Sequence, residues 1–155
     1  MKYTKNKNNK NLIKDFHEDY YTGLKGIYFN RILDKIIEIG DLRERNIKIL
    51  DFGCGLGKLK KLLPDKVIGY DILPDLSDID DWEKVNFDVI VANAVFYLMT
   101  KNELRKFLNE LYQHNKNVEM IFTTGNKSLL LNNILKYVFL IPDAHLGTKL
   151  TPPKN

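Results

Sequence analysis

The tightest constraint on this chain is a run of three alternating glycines set directly after a short apolar segment. Ile47-Lys48-Ile49-Leu50-Asp51-Phe52 is β-rich and reads as a buried strand. It runs without a spacer into Gly53-Cys54-Gly55-Leu56-Gly57. Lys58 to Leu63 follows as a short helix ended by Pro64. Glycine permits unusual backbone angles and lets a ligand approach where a Cβ would block it. Helix amides at the far end of such a loop favour anionic or strongly polar groups. In an open parallel sheet, the crevice at the carboxyl ends of the strands is where ligands bind.

The rest of the chain fits such a sheet. A helix is predicted from about Ile27, with Ile32, Leu33, Ile36, Ile37 and Ile39 apolar and a stop at Gly40, after Gly23 and Gly26 break an aromatic-rich stretch. Lys66 to Tyr70 is a second strand closing on Asp71, and Phe87 to Ala92 a third. Lys101 to Gln113 is a helix with Leu104, Phe107, Leu108 and Leu111 on one face. Thr100 is its N-cap, and Glu103 completes a capping box. Val118 to Thr123 is a further strand, and Ser128 to Leu140 a helix. Strands alternating with helices predict an α/β fold, with a mostly parallel sheet and helices on both faces.

Spacing separates two kinds of ligand. A dinucleotide fingerprint requires G-x-G-x-x-G, and its third glycine would fall on Lys58. That disfavours a nicotinamide-binding oxidoreductase. The run Asp51-Phe52-Gly53-Cys54-Gly55-Leu56-Gly57 instead resembles the D-x-G-x-G-x-G signature of class I S-adenosylmethionine-dependent methyltransferases. Asp71 lies 20 residues after Asp51 at the end of the next strand, where an acid can accept hydrogen bonds from both ribose hydroxyls. Phe87 to Leu98 resembles the same family's fourth strand and the segment after it, so the resemblance runs from about Ile47 to Thr123.

The resemblance implies a three-layer Rossmann-like fold with S-adenosylmethionine as cofactor. The loop of Gly53, Cys54, Gly55 and Gly57 would hold the methionine end, and Asp71 the ribose. Asp51 would brace the loop or the cofactor's amino group, and Ile72 would lie against adenine. Asn93 would border the cofactor, with Phe96 and Tyr97 on the acceptor side. Only 15 residues separate Asp71 from Phe87, too few for the family's usual helix, strand and helix. The adenine-side acid is therefore left between Asp80 and Asp81. The chain ends soon after Thr123, so the family's usual C-terminal strands have no obvious counterpart. The expectation is either a minimal or truncated version of the family, or an exposed edge that a partner or a second copy covers.

Composition sets the remaining bounds. The 155 residues suit one domain, taken as 12–155, after a basic tail at 1–11. The net charge is +4, yet residues 1–14 carry five Lys and no acid, leaving 19 basic against 20 acidic residues. A nucleic-acid partner would thus engage the tail, which reads more simply as a solvated leader. One cysteine excludes a disulfide framework and a multi-cysteine metal site. No apolar segment suits a signal peptide or a membrane span, so a cytoplasmic protein is expected.

Methyl transfer needs an aligned nucleophile in a dry pocket more than a metal or a base. His145 is the first candidate base among three histidines, with His114 read as a surface residue and Tyr20, Tyr21 and Tyr28 as a candidate lid. Cys54 reads as a small residue filling a tight turn. Asn93-Ala94-Val95-Phe96 lacks the Asn/Asp-Pro-Pro-aromatic pattern used to hold a flipped base amine. The expected acceptor is a small molecule or glycan-like metabolite. RNA or protein is the alternative, as is a non-catalytic subunit that needs a partner.

Overall fold

The computed structural model describes residues 23–123. The chain divides into two compact units. Of the described residues, 23–35 belong to the first and 36–123 to the second. Helix α1 (Gly23–Ile39) begins in the first unit. It starts four residues before the predicted Ile27 and runs through Gly26, because the cost of one glycine, roughly 1 kcal/mol, is small beside the burial of an apolar helix face. Ile39, predicted on that face, is exposed.

The second unit is built on four parallel strands: β1 (Ile49–Phe52), β2 (Val67–Tyr70), β3 (Val89–Asn93) and β4 (Glu119–Thr123). Their order is β2-β1-β3-β4. Each lies within two residues of the run that predicted it. All four residues of β1 are buried, as expected of a strand flanked on both edges and covered on both faces. The register pairs Asp51 with Gly69 of β2 and Val91 of β3, and Val91 with Ile121 of β4.

Alternation along the strands divides the core. Leu50, Phe52, Ile90 and Ala92 form one apolar face under Phe107 and Leu111 of helix α3 (Lys101–His114). The predicted capping box is present: the Thr100 amide donates to Glu103 at 2.9 Å and the Glu103 amide to the Thr100 hydroxyl at 3.3 Å. Trp82, on a single 3₁₀ turn (Trp82–Lys84), completes this face among Phe52, Phe87, Phe107 and His114. His114 is therefore not the surface residue expected. It stacks on Phe87 and bonds the Val85 carbonyl through Nε2 at 3.0 Å.

On the other face, the turn after α1 meets β4. A Cβ on Gly40 would lie 2.5 Å from Ile121 Cδ1, so glycine there serves close packing. The left-handed residue of this helix stop is Asp41, with φ 47°.

Between Asp71 and Phe87 there is no further strand, as the short spacing predicts. The segment folds back along the outer edge of β2 instead. The Gly69 amide donates to the Asp78 carboxylate at 2.7 Å, and the Asp78 amide donates to the Gly69 carbonyl at 2.9 Å. The Asp71 amide donates to the Ser77 hydroxyl at 3.0 Å; at the start of the strand the Val67 amide donates to the Leu63 carbonyl, from the end of the preceding helix, at 3.2 Å. Among the described residues no helix is long and apolar enough to cross a membrane. The predicted helix from Ser128, the tail at 1–11 and everything after Thr123 lie outside the described residues.

Candidate functional site

The strand order reverses at β1. The chain leaves β1 for β2 on one side and returns to β3 on the other, so the loops after β1 and β3 diverge and open a crevice between them. The glycine loop leaves β1 into that crevice. Gly53, Gly55 and Gly57 have φ of 78°, 51° and 66°, the left-handed region that side chains disfavour. At Gly53 a Cβ would also lie 2.4 Å from Val95 Cγ2, so the loop after β3 rests directly on it. At Gly57 nothing lies within 4 Å, and only the backbone angle requires glycine there. Gly57 is the N-cap of the short helix α2 (Lys58–Leu62).

Asp71, the residue after β2, turns its carboxylate onto this loop. One oxygen accepts from the Gly55 amide at 3.0 Å and the other from the Leu73 amide at 2.9 Å. The residue is 8% exposed, and each carboxylate oxygen keeps a further lone pair for a ligand hydroxyl. Ile72 beside it is 41% exposed, an apolar surface at the crevice margin.

Asp51 sits behind the loop and is only 5% exposed. Among the described residues no donor hydrogen-bonds to its carboxylate. Burial first, then the charges of Asp71 and Asp78, push its pKa up to about 7. A buried carboxylate without a donor is costly, and a cationic ligand group arriving at the loop would relieve it. Cys54 occupies the space left by Gly69, with its sulfur 2.8 Å from where a Cβ would stand. Its thiol donates to the Leu76 carbonyl at 3.3 Å. Burial, then Asp51, Asp71 and Asp78, push the thiol up to about 12, which keeps it protonated where it packs the turn.

At the far wall, Asn93 ends β3 opposite Thr123 of β4. The Thr123 hydroxyl donates to Asn93 Oδ1 at 2.7 Å and accepts from the Ala94 amide at 2.9 Å. Ala94 has φ 58°, which turns the chain sharply after the strand.

The turn corrects one expectation. Phe96 is 9% exposed and packs on Phe107 and Phe122, so it belongs to the core and not to the acceptor side. Tyr97, 41% exposed, keeps an outward position.

Of the two acids left open, Asp81 is engaged locally: it accepts from the Glu83 amide and pairs with Lys84 at 3.2 Å. Asp80 is exposed. The acid of this segment that reaches the edge of β2 is Asp78, bonded to Gly69 and paired with Lys60 at 2.8 Å. Burial opposes its charge, but the Lys60 ammonium and the Gly69 amide hold its pKa below the usual carboxylate range. Tyr28, in the first unit, is half-buried with its ring edge-on to Phe29, and burial raises its hydroxyl pKa. Tyr20, Tyr21, His17 and His145 lie outside the described residues.

The site thus brings together Asp51, the glycine loop, Asp71, Ile72 and Asn93, from three separate strand ends. No curated protein matches the chain. The family model described as "Methyltransferase domain" matches residues 24–148, which includes the four described strands and their crevice. The chain belongs to this methyltransferase family.

Proposed function

We propose that this chain is a class I methyltransferase that takes its methyl group from S-adenosylmethionine. The observation that carries the reading is the convergence of Asp71 on the Gly55 amide, with the Asp51 carboxylate, which has no donor among the described residues, buried behind the same loop. A ribose offers two vicinal hydroxyls to the free lone pairs of Asp71. The α-ammonium of the methionine end offers donors and a positive charge to Asp51. Exposed Ile72 offers an apolar surface to adenine. The charge balance also argues against a dinucleotide, whose pyrophosphate would meet two carboxylates at the loop.

S-adenosylmethionine supplies an electrophilic methyl on a positively charged sulfur when bound. The chain's own part is to hold its polar groups, exclude water and leave the acceptor atom a straight path. Asp51 and Asp71 anchor one wall, Asn93 the other, and Tyr97 extends the acceptor side. The reaction we infer is transfer to an oxygen, nitrogen or carbon of a small molecule or glycan-like metabolite in the cytoplasm.

Isothermal titration of the full chain with S-adenosylmethionine, S-adenosylhomocysteine and NADH tests this. Micromolar binding of the two adenosyl ligands, and none of NADH, is expected. Binding weaker than millimolar in folded protein would refute the cofactor assignment.

A further inference from the structure

The Thr123 hydroxyl makes two bonds that together fix the far wall of the crevice. It accepts the Ala94 amide at 2.9 Å, and its proton is left to donate to Asn93 Oδ1 at 2.7 Å. The first bond holds an alanine in a left-handed conformation, φ 58°, that alanine does not choose alone. That turn sets Val95 against Gly53, where a Cβ would lie 2.4 Å from Val95 Cγ2. The second bond engages the carbonyl end of the Asn93 amide, so its NH₂ end points away from Thr123. Among the described residues no acceptor is hydrogen-bonded to that NH₂ group. One hydroxyl on β4 therefore governs the exit of β3 and, through Val95, the seat of the glycine loop.

We propose that Thr123 is a positioning residue, which keeps the Asn93 amide and the Ala94 turn arranged so that the crevice is ready for its ligand. Thr123 touches no ligand in this scheme; it acts through Asn93 and Ala94. The proposal rests on the adenosyl-binding reading above, since it assigns Asn93 to that ligand's wall.

Valine is nearly isosteric with threonine but has neither donor nor acceptor, whereas serine keeps both. Thr123→Val, Thr123→Ser and Thr123→Val/Ala94→Gly are compared with the parent by titration with S-adenosylhomocysteine and by amide hydrogen exchange at residue 94. Thr123→Val should bind about tenfold more weakly and lose protection at the Ala94 amide. Thr123→Ser should stay within about twofold of the parent on both measures. Adding Ala94→Gly should recover part of the lost affinity, because glycine adopts the left-handed turn without a latch.

Parent-like affinity in Thr123→Val overturns the proposal, as does equal loss in the serine variant. If the parent itself binds no S-adenosylhomocysteine, the cofactor reading fails instead. Exchange at Ala94 in the unliganded variants then reports separately whether Thr123 holds the turn; unchanged protection overturns that part too. Should Thr123→Val prove unfolded by circular dichroism, the serine variant and Asn93→Ala carry the test. Parent-like affinity in Asn93→Ala would overturn the proposal.

Discussion

The Asp71 carboxylate and the Gly55 amide meet at 3.0 Å, joining the end of β2 to the middle of the glycine loop. The second oxygen of Asp71 is held by Leu73, so the carboxylate is fixed before any ligand arrives. Asp71→Asn replaces one accepting oxygen by an NH₂ group that would face an amide donor. We expect it to cost roughly 1–3 kcal/mol of stability and to weaken S-adenosylmethionine binding at least tenfold. Urea unfolding and titration calorimetry read the two effects separately.

Asp51 gives the protein a defined response to pH. Its folded-state pKa, about 7, stands well above that of an ordinary aspartate, so the folded chain holds a proton there that the unfolded chain has released. Stability is therefore expected to fall as pH rises from about 4 to 7, and then to level off. Asp51→Asn should remove that slope and raise stability at pH 8 by on the order of 1–3 kcal/mol. Denaturation of both proteins across this range checks it; parallel curves would contradict it. A cationic ligand at Asp51 would release the proton, which calorimetry in buffers of different ionisation enthalpy detects.

The glycines of the loop are not equivalent. Gly53→Ala meets both a forbidden backbone angle and Val95, and should cost at least about 2 kcal/mol. Gly57→Ala meets only the angle, and should cost roughly 1 kcal/mol. Val95→Ala should relieve the first substitution in part and the second not at all. Chemical denaturation of the single and double variants decides between these outcomes.

Cys54 should resist alkylation. With its thiol pushed up to about 12 and its sulfur packed between Gly69 and Leu76, iodoacetamide at pH 8 should react at least about a hundredfold more slowly than in urea. Comparable rates in the two conditions would place the thiol elsewhere than in the packed turn.

Much of this was readable from the chain alone, for local reasons. The glycine loop, the strand-ending Asp71 and the Thr100 cap declare themselves because backbone angle and capping chemistry depend on near neighbours in sequence. Trp82 did not, since its partners Phe52, Phe87, Phe107 and His114 come from four separate segments. Phe96 reads as an acceptor-side residue in sequence because its true direction follows from the left-handed Ala94, a conformation no alanine advertises. Asp78 is one of several acids in its stretch of sequence, and only the fold-back onto Gly69 distinguishes it. His114 reads as a helix-end residue until α3 is laid on the sheet and Val85 supplies an acceptor.

The outward amides of β2 at Val67, Gly69 and Asp71 are each bonded to an acceptor from the chain beside them. An exposed strand margin ordinarily invites foreign chains to continue the sheet, the route to tangled assemblies and fibres. Here an incoming strand finds its donors already taken, and would first have to break the Lys60–Asp78 pair and peel residues 77–78 away. The segment too short to build another strand thus acts as a stopper, ending sheet growth on that side.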